Sequence, residues 1–386
     1  MNTMNNEKKM GVDSASSTPT FWQKTRQFLY TTLNAMTFGI FGTIVVGAIV
    51  QTLGLVIGIE VFNRVSQILT SLLGMGIGLS IGLSLKLNGL KLVMISVAGG
   101  IASLLKVDFT LPGWYVPGAS SNNPITVYLV VIAVYFLIEL VFKKKTVYDL
   151  FFIPLLASLG AVLAVYVVSW PIDRLMELIY ATIKFFMTAE PYSTSAFISL
   201  IFGILLTLPF ISSAGVAIAV FTTPFLQGDP IAITAMCAAV VGCTAQMIGF
   251  SVQTVRKNDV GTIFTVGLAS SMFQFKNVMK KPMTWVPTLV ASFVLAPVAY
   301  LLFDGYQWFI NAIPDNHAFT AAWPGMGSSG LVGQLQTLTI SGFSFQGWLF
   351  VAYQIMAPLI LVLFLDVLFI KMSWYKDTDL ILDATL

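Results

Sequence analysis

Between Pro324 and Gln334 the chain reads Pro-Gly-Met-Gly-Ser-Ser-Gly-Leu-Val-Gly-Gln, lodged between two long apolar stretches. Glycine tolerates left-handed backbone and lets other groups come close to the main chain. Ser328, Ser329 and Gln334 add hydroxyl and amide groups that both donate and accept hydrogen bonds. Further polar interruptions occur upstream. Glu190 is followed by Pro191, Ser212 and Ser213 follow Pro209, and Gln246 ends a run of small residues. Asn277 closes the stretch Ser-Ser-Met-Phe-Gln-Phe-Lys-Asn that begins at Ser270. A carboxylate, hydroxyls and amides in this combination could hold a solute rich in hydroxyl groups, or the carboxylate could couple a cation. No phosphate-cradling glycine loop, dinucleotide fingerprint or His-Glu metal pattern is present. No catalytic residue, metal or cofactor is therefore expected, and the chain alone is not expected to be an ATP-driven pump.

These residues need elements to position them, and the composition says which kind. The 386-residue chain is 57% hydrophobic and only 10% charged, with a mean hydropathy of +0.86. Soluble domains carry about 25% charged residues, so the class is an all-α, polytopic transmembrane helical bundle. Apolar runs long enough to span fall at 37–59, 65–85, 126–142, 147–169, 195–220, 231–252, 284–303 and 346–370. Shorter or charged stretches at 91–106, 172–188 and 261–275 bring the expectation to about nine to eleven membrane segments, with re-entrant or broken helices among them. Residues 1–34 read as a polar cytoplasmic tail, 35–372 as one membrane domain and 373–386 as a C-terminal tail.

Irregular backbone at membrane depth persists where it is buried in protein or lines a polar cavity, because each unpaired N–H or C=O in hydrocarbon costs several kcal/mol. That makes 324–334 the strongest pointer to a transport-type site. The Pro209 interruption reads either as a discontinuous helix at a substrate site or as a kink at a packing contact.

Lysine and arginine set the expected orientation. Lys8, Lys9, Lys24, Arg26, Lys86, Lys91, Lys143, Lys144, Lys145, Arg256, Lys257, Lys276, Lys280, Lys281, Lys371 and Lys376 place both termini and three loops in the cytoplasm. Loops 107–125 and 304–323 lack Lys and Arg and read as outside. An even number of crossings must then separate residue 145 from residue 256. Either 172–188 crosses, with its charges facing a polar interior, or one of the neighbouring apolar runs is a re-entrant hairpin. The first option is the expectation here. Cys237 and Cys243 match no zinc or redox spacing and read as packing residues, and His317 reads as a surface loop residue. Basic residues are scattered at helix ends, so nucleic-acid binding is not expected.

The order of four segments resembles a known family. Thr207-Leu-Pro-Phe-Ile-Ser-Ser-Ala-Gly215, Val241-Gly-Cys-Thr-Ala-Gln-Met-Ile-Gly-Phe250, Asp259-Val-Gly261 and the 324–334 run follow one another. Together they look like the IIC-type membrane component of the bacterial phosphotransferase system, in the subgroup containing perfringolysin O regulator-like proteins. The resemblance implies a sugar-translocating subunit of the cytoplasmic membrane that is homodimeric and lies in the lipid bilayer. It implies separate IIA and IIB phosphocarrier partners, since no such domain is fused here. The expected sugar contacts, read from their hydroxyl, amide and carboxylate chemistry, are Glu190, Ser212, Ser213, Gln246, Asn277, Ser328, Ser329 and Gln334; the resemblance adds that Glu190 and Pro191 are loosely similar to the acidic sugar motif of glucose-type IIC subunits. A non-transporting sensor of the same family and a cation-coupled carrier are the alternatives.

Overall fold

A computed structural model of the chain describes residues 21–107, 109, 111, 113–115, 123–144, 146–208, 211–312 and 321–382. His317, Lys145 and Pro209 lie outside the described residues. Among the described residues the structure is built from helices: α1 (Phe21–Ile40), α2 (Val46–Ile57), α3 (Glu60–Ser71), α4 (Leu73–Ser84), α5 (Gly89–Leu104), α6 (Pro124–Val141), α7 (Asp149–Ala189), α8 (Pro191–Thr207), α9 (Ser213–Leu226), α10 (Pro230–Thr254), α11 (Val260–Leu268), α12 (Phe275–Lys280), α13 (Val286–Leu302), α14 (Gln307–Ile310), α15 (Val332–Ile340) and α16 (Phe345–Lys371). Six helical stretches are long and apolar enough to cross a membrane, α3 and α4 form a seventh bent by 51°, and three shorter apolar helices accompany them. The chain is thus the multi-pass all-α membrane protein that its composition demands.

α1 begins at Phe21, inside the segment expected to be a tail, and runs through a π-helical turn at Phe41–Val45 into α2. Its first turns are exposed at Phe21, Trp22 and Leu29, and its buried face begins with Thr32, Ala35 and Met36. The first half of the molecule, α1 to α7, packs through glycine. Gly74 on α4 and Gly99 on α5 face each other so closely that a Cβ on either would lie 2.1 Å from the other's carbonyl oxygen. Gly78 meets Ile95 in the same seam. Side-chain-free contacts of this kind let dispersion hold helices together where lipid supplies no hydrophobic drive.

α7 corrects the expectation for 172–188. It is one helix of 41 residues that passes through Pro154 and Pro171, about 61 Å long. Of the charges at 173–177, Arg174 and Glu177 pair with each other at 2.6 Å, each about 60% exposed, and Asp173 is half-buried. The first part of α7 is two-sided. Ile153, Ala157, Ala161 and Val165 are buried, while Leu155, Leu159, Leu163 and Val167 are exposed, as for a helix facing hydrocarbon. Phe109, in the chain after α5, meets Tyr166, so the remainder of α7 continues past the end of α5.

Parity is restored by the option not favoured above. Lys184, just before α8, forms a 2.6 Å ion pair with Asp229, just after α9. The chain therefore leaves and returns to one level, and α8 with α9 is a hairpin. α10 and α8 run parallel, since Ser199 lies against Gly242 and Thr207 against Gln246. α13 runs antiparallel to α10, pairing Thr284 with Gln253 and Ser292 with Gly242.

α10 is the axis of this second half, with 89% of its apolar window buried. Its run of Ala, Cys, Gly, Val and Thr is what allows neighbours this close. A Cβ on Gly242 would stand 1.9 Å from the Ser199 carbonyl oxygen of α8. Gly242→Ala should therefore lower stability by roughly 1–3 kcal/mol, whereas Gly42→Ala, with nothing within 4 Å of the added carbon, should change it little. Thermal unfolding of both variants in detergent checks this, and equal melting temperatures would refute the close-packing account.

Candidate functional site

Three broken segments meet beside α10. The first is the α8–α9 tip. The second is residues 260–280, in which α11 stops at Leu268 and a 3-10 turn at Ser271–Gln274 leads into α12. The third is the glycine-rich run, entered through Trp323–Gly325 and left through α15. Each has a local cause. Ser212 Oγ accepts from Gly215 N–H at 3.0 Å and starts α9, and Asp259 accepts from Thr262 N–H and starts α11. Gly327 and Gly330 hold φ of +53° and +54°, and a Cβ on Gly327 would lie 2.7 Å from the Cys243 carbonyl carbon. Only glycine fits that turn against α10.

Serine hydroxyls join the tips. Ser328 Oγ donates to Gly267 O at 2.6 Å and Ser329 Oγ to Ala269 O at 3.0 Å, so the third tip satisfies carbonyls freed where α11 ends. Thr207 Oγ1 lies 3.1 Å from Ser271 Oγ, joining the first tip to the second. Ser213 Oγ donates to Phe202 O and lies 3.5 Å from Cys243 Sγ. The contact level on α10, from Cys243 to Met247, is about 20–25 Å from Pro230 in a helix about 37 Å long. This is membrane depth.

Gln246 ties the helices behind the tips. Its Oε1 accepts from Trp285 Nε1 and Thr288 Oγ1, both at 2.9 Å, and from Thr207 Oγ1 at 3.4 Å. Its Nε2 donates to Ser292 Oγ at 2.9 Å. Gln334 Nε2 donates to Thr244 Oγ1 and to Gln354 Oε1, both at 3.1 Å, while its own Oε1 is buried without a partner among the described residues.

Six of the eight expected residues therefore converge: Ser212, Ser213, Gln246, Ser328, Ser329 and Gln334. Two do not. Glu190 is exposed where α8 begins, about 24 Å along the helix from Thr207. Asn277 Nδ2 donates to Gln274 Oε1 and to Ile381 O, on the basic face. Thr207, Thr244, Ser271, Trp285, Ser292 and Gln354 share this hydrogen-bond network and were not among the eight expected residues. Gln354 alone carried a plain signal, an amide inside a long apolar run.

At the feet of the α8–α9 hairpin burial pushes the Asp229 carboxyl up, but Lys184 and the Ile231 N–H outweigh it and hold the group below its ordinary value. An aromatic cluster leads inward from the same face. Tyr192 meets Tyr300, Tyr300 meets Tyr306, and Phe309 meets Trp323 at the entrance to the third tip. Tyr306 Oη and Trp323 Nε1 are buried donors without a partner among the described residues.

A polytopic helical membrane protein with three re-entrant segments meeting on one buried helix is a carrier-type architecture. The model of the family described as phosphotransferase system, EIIC, matches residues 30–382, and the chain belongs to that family. It is a membrane component of the phosphotransferase sugar-transport system. No curated protein and no solved structure matches the chain.

Replacing Gln246 by Leu should leave the part-buried Trp285 N–H without its partner, while Thr288 and Ser292 keep backbone carbonyls, at a cost of about 1–3 kcal/mol. Thermal unfolding measures it, and an unchanged melting temperature would remove Gln246 from its role as a tie.

Proposed function

We propose that the chain binds a sugar or closely related polyol at membrane depth, between the three tips, and exposes it alternately to the two faces. The observation that carries this is the convergence of hydroxyl and amide side chains from three interrupted segments on α10, the arrangement in which a membrane protein can offer many hydrogen bonds away from water. In the closed arrangement these groups satisfy one another. A solute entering between the tips would exchange its hydroxyls for those partners, at little net loss of hydrogen bonding.

Glu190 is the proposed acceptor at the mouth, beside Tyr192 and the aromatic cluster. Aromatic faces suit the C–H faces of sugar rings, and Tyr306 and Trp323 carry the donors that hydroxyl oxygens accept. The Lys- and Arg-bearing face is the cytoplasmic one in this reading, with both termini inside. In this reading the phosphoryl group comes from separate IIA and IIB proteins docking on that face. Asn277 lies there rather than at the tips, so its proposed sugar contact is limited to a solute leaving toward the cytoplasm. A homodimer is proposed from the family alone.

The test is reconstitution in proteoliposomes with IIA, IIB and phosphoenolpyruvate, screening sugars and polyols. Phosphorylated solute should accumulate only when both phosphocarriers are present. Flux that follows a pH gradient without any phosphoryl donor would replace this reading with a cation-coupled carrier. Glu190→Gln should cut uptake by roughly tenfold or more, the loss of one charge-assisted hydrogen bond, while the melting temperature holds. Unchanged uptake would remove Glu190 from the path.

A further inference from the structure

Residues 373–382 follow the last span and do not hang free. Tyr375 and Leu380 are each 1% exposed. The segment folds back across the basic face and grips two parts of the protein at once. One is the basic-face end of α10 and α16. Tyr375 Oη donates to Asp366 Oδ1 at 2.7 Å and accepts from Gln253 Nε2 at 3.2 Å. Arg256 bridges the buried Asp366 and Asp377, both at 3.0 Å. Asn258 Nδ2 donates to Leu380 O, and Asn258 Oδ1 accepts from Leu382 N–H.

The other part gripped is the re-entrant segment 260–280. Gln274 Nε2 donates to Leu380 O at 3.2 Å and Asn277 Nδ2 to Ile381 O at 3.0 Å. Lys281, directly after α12, pairs with Asp379 at 3.0 Å. Burial raises the Asp379 carboxyl, yet the Lys376 N–H and Lys281 outweigh this and leave it below its ordinary value.

The far end of 260–280 is the tip that receives Ser328, Ser329 and Thr207. That segment is therefore held twice, at its tip by the other two hairpins and at its base by the C-terminal strap. A route between the tips can open toward the basic face only if 260–280 moves, and it cannot move while the strap holds its base.

We propose that residues 373–382 are a latch on the basic face that keeps the re-entrant segment 260–280 closed against the other two tips. Its release is the step that opens the protein toward that face. The latch is a property of this chain's own contacts and does not require the solute to be known.

The test is thiol accessibility at the tip. Ser271→Cys places a reporter at a fully buried position. The native Cys237, also fully buried, serves as the control for loss of the fold, and Cys243, which lies against Ser213 at the tips, is replaced by Ala. Membrane vesicles that expose the basic face are treated with a membrane-impermeant maleimide. With the strap intact the reporter should label slowly. Neutralising the two exposed ion pairs by Asp377→Asn with Asp379→Asn should speed its labelling roughly two- to thirtyfold. A chain ending at Met372 should speed it further, and Cys237 should stay unlabelled in both. The double variant keeps the test alive if the truncated chain does not fold. Equal acceleration at Cys237 would make the strap a general brace and overturn the proposal. An unchanged reporter rate in a folded variant would also overturn it. Because the readout needs no flux, it can fail while sugar transport stands, and stand while sugar transport fails.

Discussion

The cost of an unpaired backbone group in hydrocarbon governs the second half of this molecule. A helix that stops at membrane depth leaves carbonyls and N–H groups that water cannot reach. Here the ends of three such interruptions are brought together so that one supplies what another lacks. Ser328 and Ser329 take up the carbonyls of Gly267 and Ala269, Thr207 meets Ser271, and Ser212 caps its own segment through the N–H of Gly215. Each fixes where the others must be, and α10 is the surface on which they are registered.

That surface works because it is nearly featureless. Ala, Gly, Cys and Val along α10 let backbone approach from α8 and from the glycine-rich run, and Gln246 among them is bonded on both sides of its amide. Small residues set distance, and this amide sets rotation. The two cysteines belong to the first category, since both are free and buried.

The fold class was legible because hydropathy alone forces it, and the glycine-rich tip because Pro, Gly and Ser at membrane depth admit few explanations. The convergence of six polar residues was legible in kind, since each interrupts an apolar run. Other features were hidden for physical reasons. Pro171 looks like a boundary, yet α7 passes through it with one backbone hydrogen bond missing. Glu190 and Ser212 are near in sequence, but a hairpin arm separates them, and spacing along a chain carries no information about that. The strap at 373–382 has the composition of a tail. Its ordering rests on Asp366, Arg256 and Asn258, which pair with it across more than a hundred residues in two of the three cases.

The continuous α7 has a consequence for how the protein meets its solvent. Its first half is embedded beside α5 and α6, and Lys184 near its far end anchors Asp229 at the feet of the α8–α9 hairpin. The depth of that hairpin is thus ruled by the length of a rigid rod and not by where the lipid ends. A thicker or thinner bilayer would be accommodated along the exposed Leu155, Leu159, Leu163 and Val167 stripe, at a modest mismatch cost per ångström. The register of the tips on α10 would be unchanged, so the protein is built to keep its geometry as the membrane around it changes composition.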